Sequence, residues 1–461
     1  MSRIADYLSP EEAAREIIRT AAELNTDELV AVHNLGFVPH QSELYFLVPK
    51  SPLPLAGITA FAVDMDGTST TTEPLALHSL EFMVRRLTGK RTRAEWAGLD
   101  SVRDIPFVIG NSNFRHTEFL MKQYAADIDP GCFRDSFFEA MLWTLSAMDD
   151  RQRRDDVKTN AINCGLEPVL HDSDFLNAIQ TAPQDDELCA ELVKPFIQRF
   201  GSLFHPRHFT AQVSAAMDIY YHRYHAILRR MERGDSKEIA FQLLGDENQR
   251  LVAPMPGYGI FLCLVKGWLG EDAVSLAPLL RAAHVKDPKP REGDTTIFRA
   301  LLSYFKRNPA RTSLVTASIA YEAHVVMKEV VQVIRDEVST WPIPPSLQAA
   351  LREKLADYRA VYDGFVTASD SWEARLKPHR DLYSIALHEM SVPKPAYPQC
   401  VAIEDTEPGI LSARAAGFGV TVALPNHDTN LQNYEKASIE LHGGLPELIL
   451  DRHLLLDIQP K

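Results

Sequence analysis

The stretch Ile58-Thr59-Ala60-Phe61-Ala62-Val63-Asp64-Met65-Asp66-Gly67-Thr68 constrains the chain more than any other. An apolar run breaks off abruptly in two aspartates and a glycine. A short run of this kind, ending in Phe61, Ala62 and Val63, suits a strand covered on both faces, as in a parallel sheet. Asp64 and Asp66 are two apart, so they share a side of the strand. The pattern predicts that both project into solvent at the carboxyl edge of the sheet, where open α/β sheets bind their ligands.

The 461-residue chain as a whole sets outer bounds on that picture. It is 45% hydrophobic and 24% charged, the balance of an ordinary globular protein with room for two or three domains. No apolar run reaches membrane-spanning length, and the start Met1-Ser2-Arg3-Ile4-Ala5-Asp6 carries no signal-peptide core, so a cytoplasmic location without membrane attachment is expected. Cys132, Cys164, Cys189, Cys263 and Cys400 are scattered without CxxC spacing and read as buried small hydrophobes. A net charge of −14 argues against a nucleic-acid partner and requires any anionic substrate to be neutralised locally, by a metal or a few placed cations.

In chain order, Ser9-Pro10-Glu11-Glu12 starts a helix that Ala13 to Leu24 continues, and Leu44–Val48 suits a short strand. After Thr68 the pattern becomes helical for a long way. Pro74 sits in a first turn followed by the apolar stripe Leu77, Leu80, Val84, Leu87, and helices are expected at about 112–126, 133–148, 186–200 and 211–233. The mixed charges of 149–156 read as a solvated face. His205, His208, His222 and His225 invite a metal reading, but Pro206 breaks one pair and no cysteine or carboxylate completes a known ligand spacing. The sheet resumes at Thr312–Ser318, where Thr316 and Ala317 end a strand and Ser318 is placed to cap the helix that follows. Two further segments carry chemistry: Lys377-Pro378-His379-Arg380-Asp381-Leu382-Tyr383, and the apolar strand leading into Glu404-Asp405-Thr406-Glu407-Pro408-Gly409.

Together these segments resemble, in order, the four motifs of the haloacid dehalogenase (HAD) superfamily: Asp-x-Asp-Gly-Thr, a strand ending in Thr or Ser, Lys-Pro-x-x-Asp-x-Tyr and Glu-Asp-(Ser/Thr)-x-x-Gly. The subfamily they look most like includes β-phosphoglucomutase and phosphoglycolate phosphatase. The resemblance covers about 57–68 and 312–450 and implies an α/β fold, a HAD-like Rossmann-type parallel sheet with a large inserted helical cap. The domain reading is an N-terminal extension packed on the core at 1–56, the core at 57–68 and 254–461 with its own insert at about 267–311, and the cap at 69–253.

The resemblance also implies roles. Asp64 is the nucleophile that forms an aspartyl phosphate, and Asp66 is the general acid and then base. Mg²⁺ is held by Asp64, the main-chain carbonyl of Asp66 and the pair Glu404/Asp405, while Thr316, the Ala317 amide and Lys377 bind the phosphoryl group. The expected activity is hydrolysis of a small phosphate monoester, such as a phosphorylated sugar. A phosphomutase is the alternative enzyme, and a binding or scaffold protein with a vestigial core is the alternative outside catalysis. Two departures from the family stand out. The flap after the nucleophile, Ser69-Thr70-Thr71-Thr72, is unusually polar, which favours water as acceptor; and the insert is far larger than the subfamily's usual cap, so substrate does not carry over. Its candidate cations Arg85, Arg86, Arg115 and His116 read equally well as plain solvated residues.

Overall fold

A computed structural model describes residues 8–33, 42–108, 113–182, 186–246, 249–370, 375–426 and 429–458. The architecture is α/β, and the chain divides into two units: one of residues 1–71, 254–323 and 330–461, the other of 72–253 and 324–329.

The first unit is built on a six-stranded parallel sheet in the order Ile439–Glu440, Val420–Ala423, Cys400–Glu404, Ala60–Asp64, Arg311–Val315, Gly364–Val366. The predicted strand lies at its centre and every one of its residues is buried. Side chains alternate across a strand, and here the alternation separates two kinds of packing. Phe61 points to the side where Phe261 and Phe305 meet it, the former edge-on with ring centroids 5.3 Å apart. Ala60 and Ala62 face the other way, and their small size admits Leu382, Tyr383 and Leu387 of the Asp381–Glu389 helix. In register, Asp64 stands beside Val315 and Val63 beside Ile403. The three segments read as motifs therefore end along one edge of the sheet, because parallel neighbours in register must terminate at the same level.

Residues 267–311, read as an interruption, provide structural cover for this sheet. The helix Asp294–Arg307 buries Phe298, Leu301, Leu302 and Phe305. Its partner element is anchored by Arg281, fully buried, whose guanidinium reaches Asp294 at 2.7 Å and Asp451 at 2.6 Å. At the N-terminal side, Ser9 and Glu12 form a reciprocal cap on the helix Pro10–Glu23. The strand expected at Leu44–Val48 runs instead over Ser42–Phe46, paired antiparallel with Leu29–His33; Leu47 leaves the ladder to pack with Val32, Tyr45 and Ala415.

The second unit is helical. The helices expected from periodicity are found at Asn113–Gln123, Pro130–Ala147, Asp186–Phe200 and Phe209–Glu232, with residue 112 outside the described residues; Glu73–Thr88 carries the stripe and ends at left-handed Gly89. Three of the polar readings require correction. The charge run 149–156 is not solvated throughout: it starts the helix Arg151–Asn163, and Arg153 is buried against Asp218 and over the Tyr221 ring, while Asn160 donates to Asp218 at 2.9 Å. Arg86 is likewise drawn inward to Glu139, and His116 is buried, with its pKa pushed down to about 4 by desolvation. Arg115 is exposed, and Arg85 lies over Trp96 and donates to the Thr92 carbonyl at 2.9 Å. The four histidines do not converge. His208 caps its helix by accepting from the Ala211 amide at 3.1 Å, and His222 packs against Phe82 and Trp143. No described helix is long and apolar enough to cross a membrane.

Replacing Phe61 by Ala removes the ring that joins the central strand to two covering helices. The expected cost is about 3–5 kcal/mol, read as a lower urea midpoint with an unchanged denaturant slope.

Candidate active site

Asp64 is the last residue of the central strand, and its side chain is not in solvent: the residue is only 6% exposed. The sequence expectation fails here because the edge of the sheet is roofed by neighbouring loops that strand periodicity cannot reveal. Asp66, two residues on, is half-buried, and its Oδ2 accepts from Ser318 Oγ at 3.3 Å. Between and beyond them the chain turns through Gly67 at φ +79°, and a Cβ there would collide with the Asp405 carboxylate and sit 2.8 Å from Asn426 Nδ2. Glycine is needed twice over, for its dihedral and for its missing side chain.

Around Asp64 the fold gathers buried charge. The Lys377 ammonium donates to Asp64 Oδ1 and lies 2.7 Å from Glu404 Oε1. Asp64, Glu404 and Asp405 each present an oxygen within 4.8 Å of the others, the one such cluster of potential metal ligands among the described residues. Three carboxylates thus face a single ammonium. The consequences are visible in the ionisation of each group. Burial and the charge of Glu404 drive the Asp64 carboxyl well above the usual carboxylate range, against the opposing pull of Lys377. Burial, then Glu404, does the same to Asp405. Desolvation alone would weaken Lys377 as a base, but Asp64 and Glu404 outweigh it and raise its pKa.

Secondary contacts fix each oxygen. Glu404 Oε1 also accepts from Tyr383 at 2.6 Å, and Oε2 accepts from Thr406 Oγ1 at 3.0 Å. Thr406 accepts in turn from the Gly409 amide, capping the next helix. A Cβ at Gly409 would overlap the Glu404 carboxylate, which explains the glycine in this motif. Asp405 accepts from Thr68 Oγ1 at 3.3 Å and from Asn426 Nδ2 at 3.1 Å, and its main-chain oxygen accepts from Tyr434.

Thr316 is buried just past the strand that pairs with Asp64, its hydroxyl accepting from the Ser318 amide at 3.0 Å, and Ala317 is exposed beside it. Ser318 does not cap the following helix as expected. Ile319 holds the cap position, the Ala320 amide is bound by Ser369 Oγ at 3.0 Å, and Ser318 turns to Asp66. The polar flap also differs from expectation. Ser69 and Thr70 are fully buried; Ser69 Oγ donates to the Asp64 carbonyl at 2.5 Å, and its own carbonyl accepts from Met255. These hydroxyls brace the loop from within, so they offer no polar surface to water and the inference drawn from them lapses.

Sequence reasoning thus located Asp64, Asp66, Thr316, Lys377, Glu404 and Asp405 at one edge. It missed Thr68, Asn426, Tyr434 and Ser318 as orienting groups and gave Tyr383 no role. Tyr383 lay within a quoted motif; Asn426 and Tyr434 had no spacing signal, since only the loop after the Val420–Ala423 strand carries them to Asp405.

No family model and no curated protein matches the chain. Among solved structures it is similar to CbbY from Rhodobacter sphaeroides in complex with phosphate, at 14% identity and a TM-score of 0.34, over 85% of this chain and 96% of that one. A putative β-phosphoglucomutase from Thermotoga maritima aligns at 12% identity and TM-score 0.31, over 86% and 99% of the two chains. A HAD phosphatase from Thermococcus onnurineus aligns at 12% and 0.30, over 88% and 100%. Similarity at this level assigns no activity.

Lys377→Met removes the cation that, among the described residues, sits between Asp64 and Glu404 in the cluster of three buried carboxylates. At pH 7 without divalent metal, the variant is expected to lose about 3–5 kcal/mol of stability. Asp64 and Asp405 have folded-state pKa values above their unfolded ones, so protonation favours the folded state and the deficit should shrink as pH falls through their raised range. Urea titrations across pH measure this; a deficit constant with pH would contradict it.

Proposed function

We propose that the chain is a Mg²⁺-dependent phosphatase that hydrolyses a small phosphate monoester through an aspartyl phosphate at Asp64. The observation that carries the reading is the buried surplus of negative charge: three carboxylates within 4.8 Å of one another, balanced among the described residues by Lys377, at the carboxyl edge of a parallel sheet. Such a cluster suits a hard divalent cation, which takes carboxylate oxygens. Asp64, Glu404 and Asp405, with the Asp66 carbonyl, are the groups that would hold it, and Glu404 already spends both positions of Oε1 on Tyr383 and Lys377. When bound, Mg²⁺ would screen the carboxylates so that a phosphate dianion can approach and would stabilise charge on the phosphoryl oxygens.

The chain's own residues account for the remainder. Asp64, held by Lys377, attacks phosphorus in line with the departing alkoxide. Asp66, entering protonated, gives that alkoxide its proton, then as carboxylate takes one from the water that attacks the aspartyl phosphate, releasing inorganic phosphate and regenerating the Asp64 carboxylate and the protonated Asp66. Its hydrogen bond from Ser318 orients the carboxyl for both transfers. Thr316 and the Ala317 amide receive a phosphoryl oxygen beside Lys377. Water is the acceptor that calls for no group beyond these. A phosphomutase would use the same aspartates and needs, in addition, a second seat for a sugar hydroxyl.

Purified protein screened with Mg²⁺ against a panel of phosphorylated metabolites should release inorganic phosphate, and Asp64→Asn should abolish release while retaining the native circular dichroism. Isomerised hexose phosphate without stoichiometric free phosphate would select the mutase instead. Asp66→Asn is expected to slow alkyl esters by about 10²–10⁴-fold, and aryl esters less because their leaving groups need no proton. Equal losses for both would remove Asp66 from the acid role. For Asp405→Ala the Mg²⁺ requirement should rise steeply or activity disappear, which a metal titration of the rate reads directly.

A further inference from the structure

Beside the carboxylate cluster, and not part of it, the first unit encloses a cavity of about 330 Å³. Its lining is largely apolar, with Met255, Val285, Leu424 and Pro446 prominent; Asp64, Asp66, Thr316 and Lys377 do not reach it. At one side it touches Gly67, Thr68 and Asn426, the back of the wall that holds Asp405. Its polar lining includes Lys286 and His442, the latter 3.2 Å from Glu440 Oε1, and among the described residues no carboxylate borders it. Lys286 makes no ion pair among the described residues and is exposed at the rim.

The wall bearing Val285 and Lys286 is firmly built. It belongs to the 267–311 stretch, and His284 organises it from a buried position. His284 Nδ1 accepts from the amides of Lys286 at 3.2 Å and Asp287 at 3.0 Å, which fixes the tautomer so that Nε2 donates to Asp451 at 3.1 Å. Asp451 is itself clamped by Arg281 and Arg291. The Val285 amide donates to the Gly443 carbonyl at 3.3 Å, joining this wall to the opposite one at 442–446. A preformed concave site of this volume, mostly apolar with a few convergent donors, is the ordinary form of a small-molecule pocket.

We propose that this cavity binds a small amphiphilic monoanion, its apolar body among Met255, Val285, Leu424 and Pro446 and its carboxylate or similar head group at Lys286. The size admits one aromatic ring with a short side chain. The head group belongs at Lys286 because a cation that no described carboxylate pairs gains most from an incoming anion, and because a cationic ligand would find no acidic partner among the described lining residues. This site is independent of the phosphatase reading, since none of the reacting groups lines it.

The test uses the full chain with Mg²⁺ and 3-phenylpropionate as probe, with binding followed by calorimetry. Saturable binding is expected, about fivefold or more weakened for 3-phenylpropan-1-ol and for Lys286→Gln, and lost in Val285→Trp, whose indole would occupy the cavity from a residue 65% exposed and so tolerant of size. Excess inorganic phosphate, directed to the Asp64 centre, should leave probe binding unchanged. Absence of saturable binding to the unaltered chain, equal affinity for the alcohol, undiminished binding by Val285→Trp, or displacement by phosphate would each overturn the proposal. Phosphatase assays on the same samples report separately on the activity, so failure of one reading leaves the other distinguishable.

Discussion

Lys377 lying between Asp64 and Glu404 is the interaction on which the site depends. Three buried carboxylates without it would be an uncompensated charge that no packing around them could offset. With it, the cluster is still short of positive charge, and burial together with the neighbouring Glu404 holds the Asp64 and Asp405 carboxyls well above the usual carboxylate range. The structure thus stores a demand for cations at one spot. A hard divalent cation would answer that demand, taking the carboxylate oxygens while Lys377 remains as the fixed counter-charge.

The sheet makes such an arrangement affordable in structural terms. Its central strand is buried on both faces, so its backbone cannot shift without disturbing Phe61 and its partners on one side and the Asp381–Glu389 helix on the other. Asp64 and Glu404 end adjacent strands in register, Thr316 follows directly on the end of the strand at Asp64's other side, and their separations are set by strand spacing. The stretch 267–311, which has no counterpart in the motif pattern, contributes the helix that backs this rigid edge and the wall of a neighbouring cavity. An insertion that carries its own buried ion network around Arg281 can serve both purposes without loosening the strand beside it.

The errors of sequence reasoning share one cause. Asp64 read as solvent-facing, Ser69 and Thr70 as a polar flap, Arg153 and Arg86 as solvated charges, and Ser318 as a helix cap. Each assignment followed the intrinsic preference of the residue type. The Ser69 hydroxyl is taken by the nearby Asp64 carbonyl, and in the other cases a partner distant in sequence overrode the preference: Lys377 for Asp64, Asp218 for Arg153, Glu139 for Arg86, Asp66 for Ser318. Polar groups are drawn inward wherever the fold supplies such a partner, and composition holds no record of where that happens.

By itself the sequence determined the strand-to-aspartate break at Asp64, the parallel α/β class, the long helical insertion and the order in which aspartates, hydroxyl, lysine and acidic pair follow one another along the chain. These are legible because each is a local pattern: an apolar run of strand length, a turn glycine, a lysine before a proline, an acidic pair after a buried strand. Tertiary structure alone decided that Asp64, Lys377, Glu404 and Asp405 share one buried centre, that Asn426, Thr68 and Tyr434 hold Asp405 in place, and that residues 284–287 wall a cavity beside it. Those facts depend on which strands lie side by side and on where loops hundreds of residues apart return, and only the packed sheet fixes these distances.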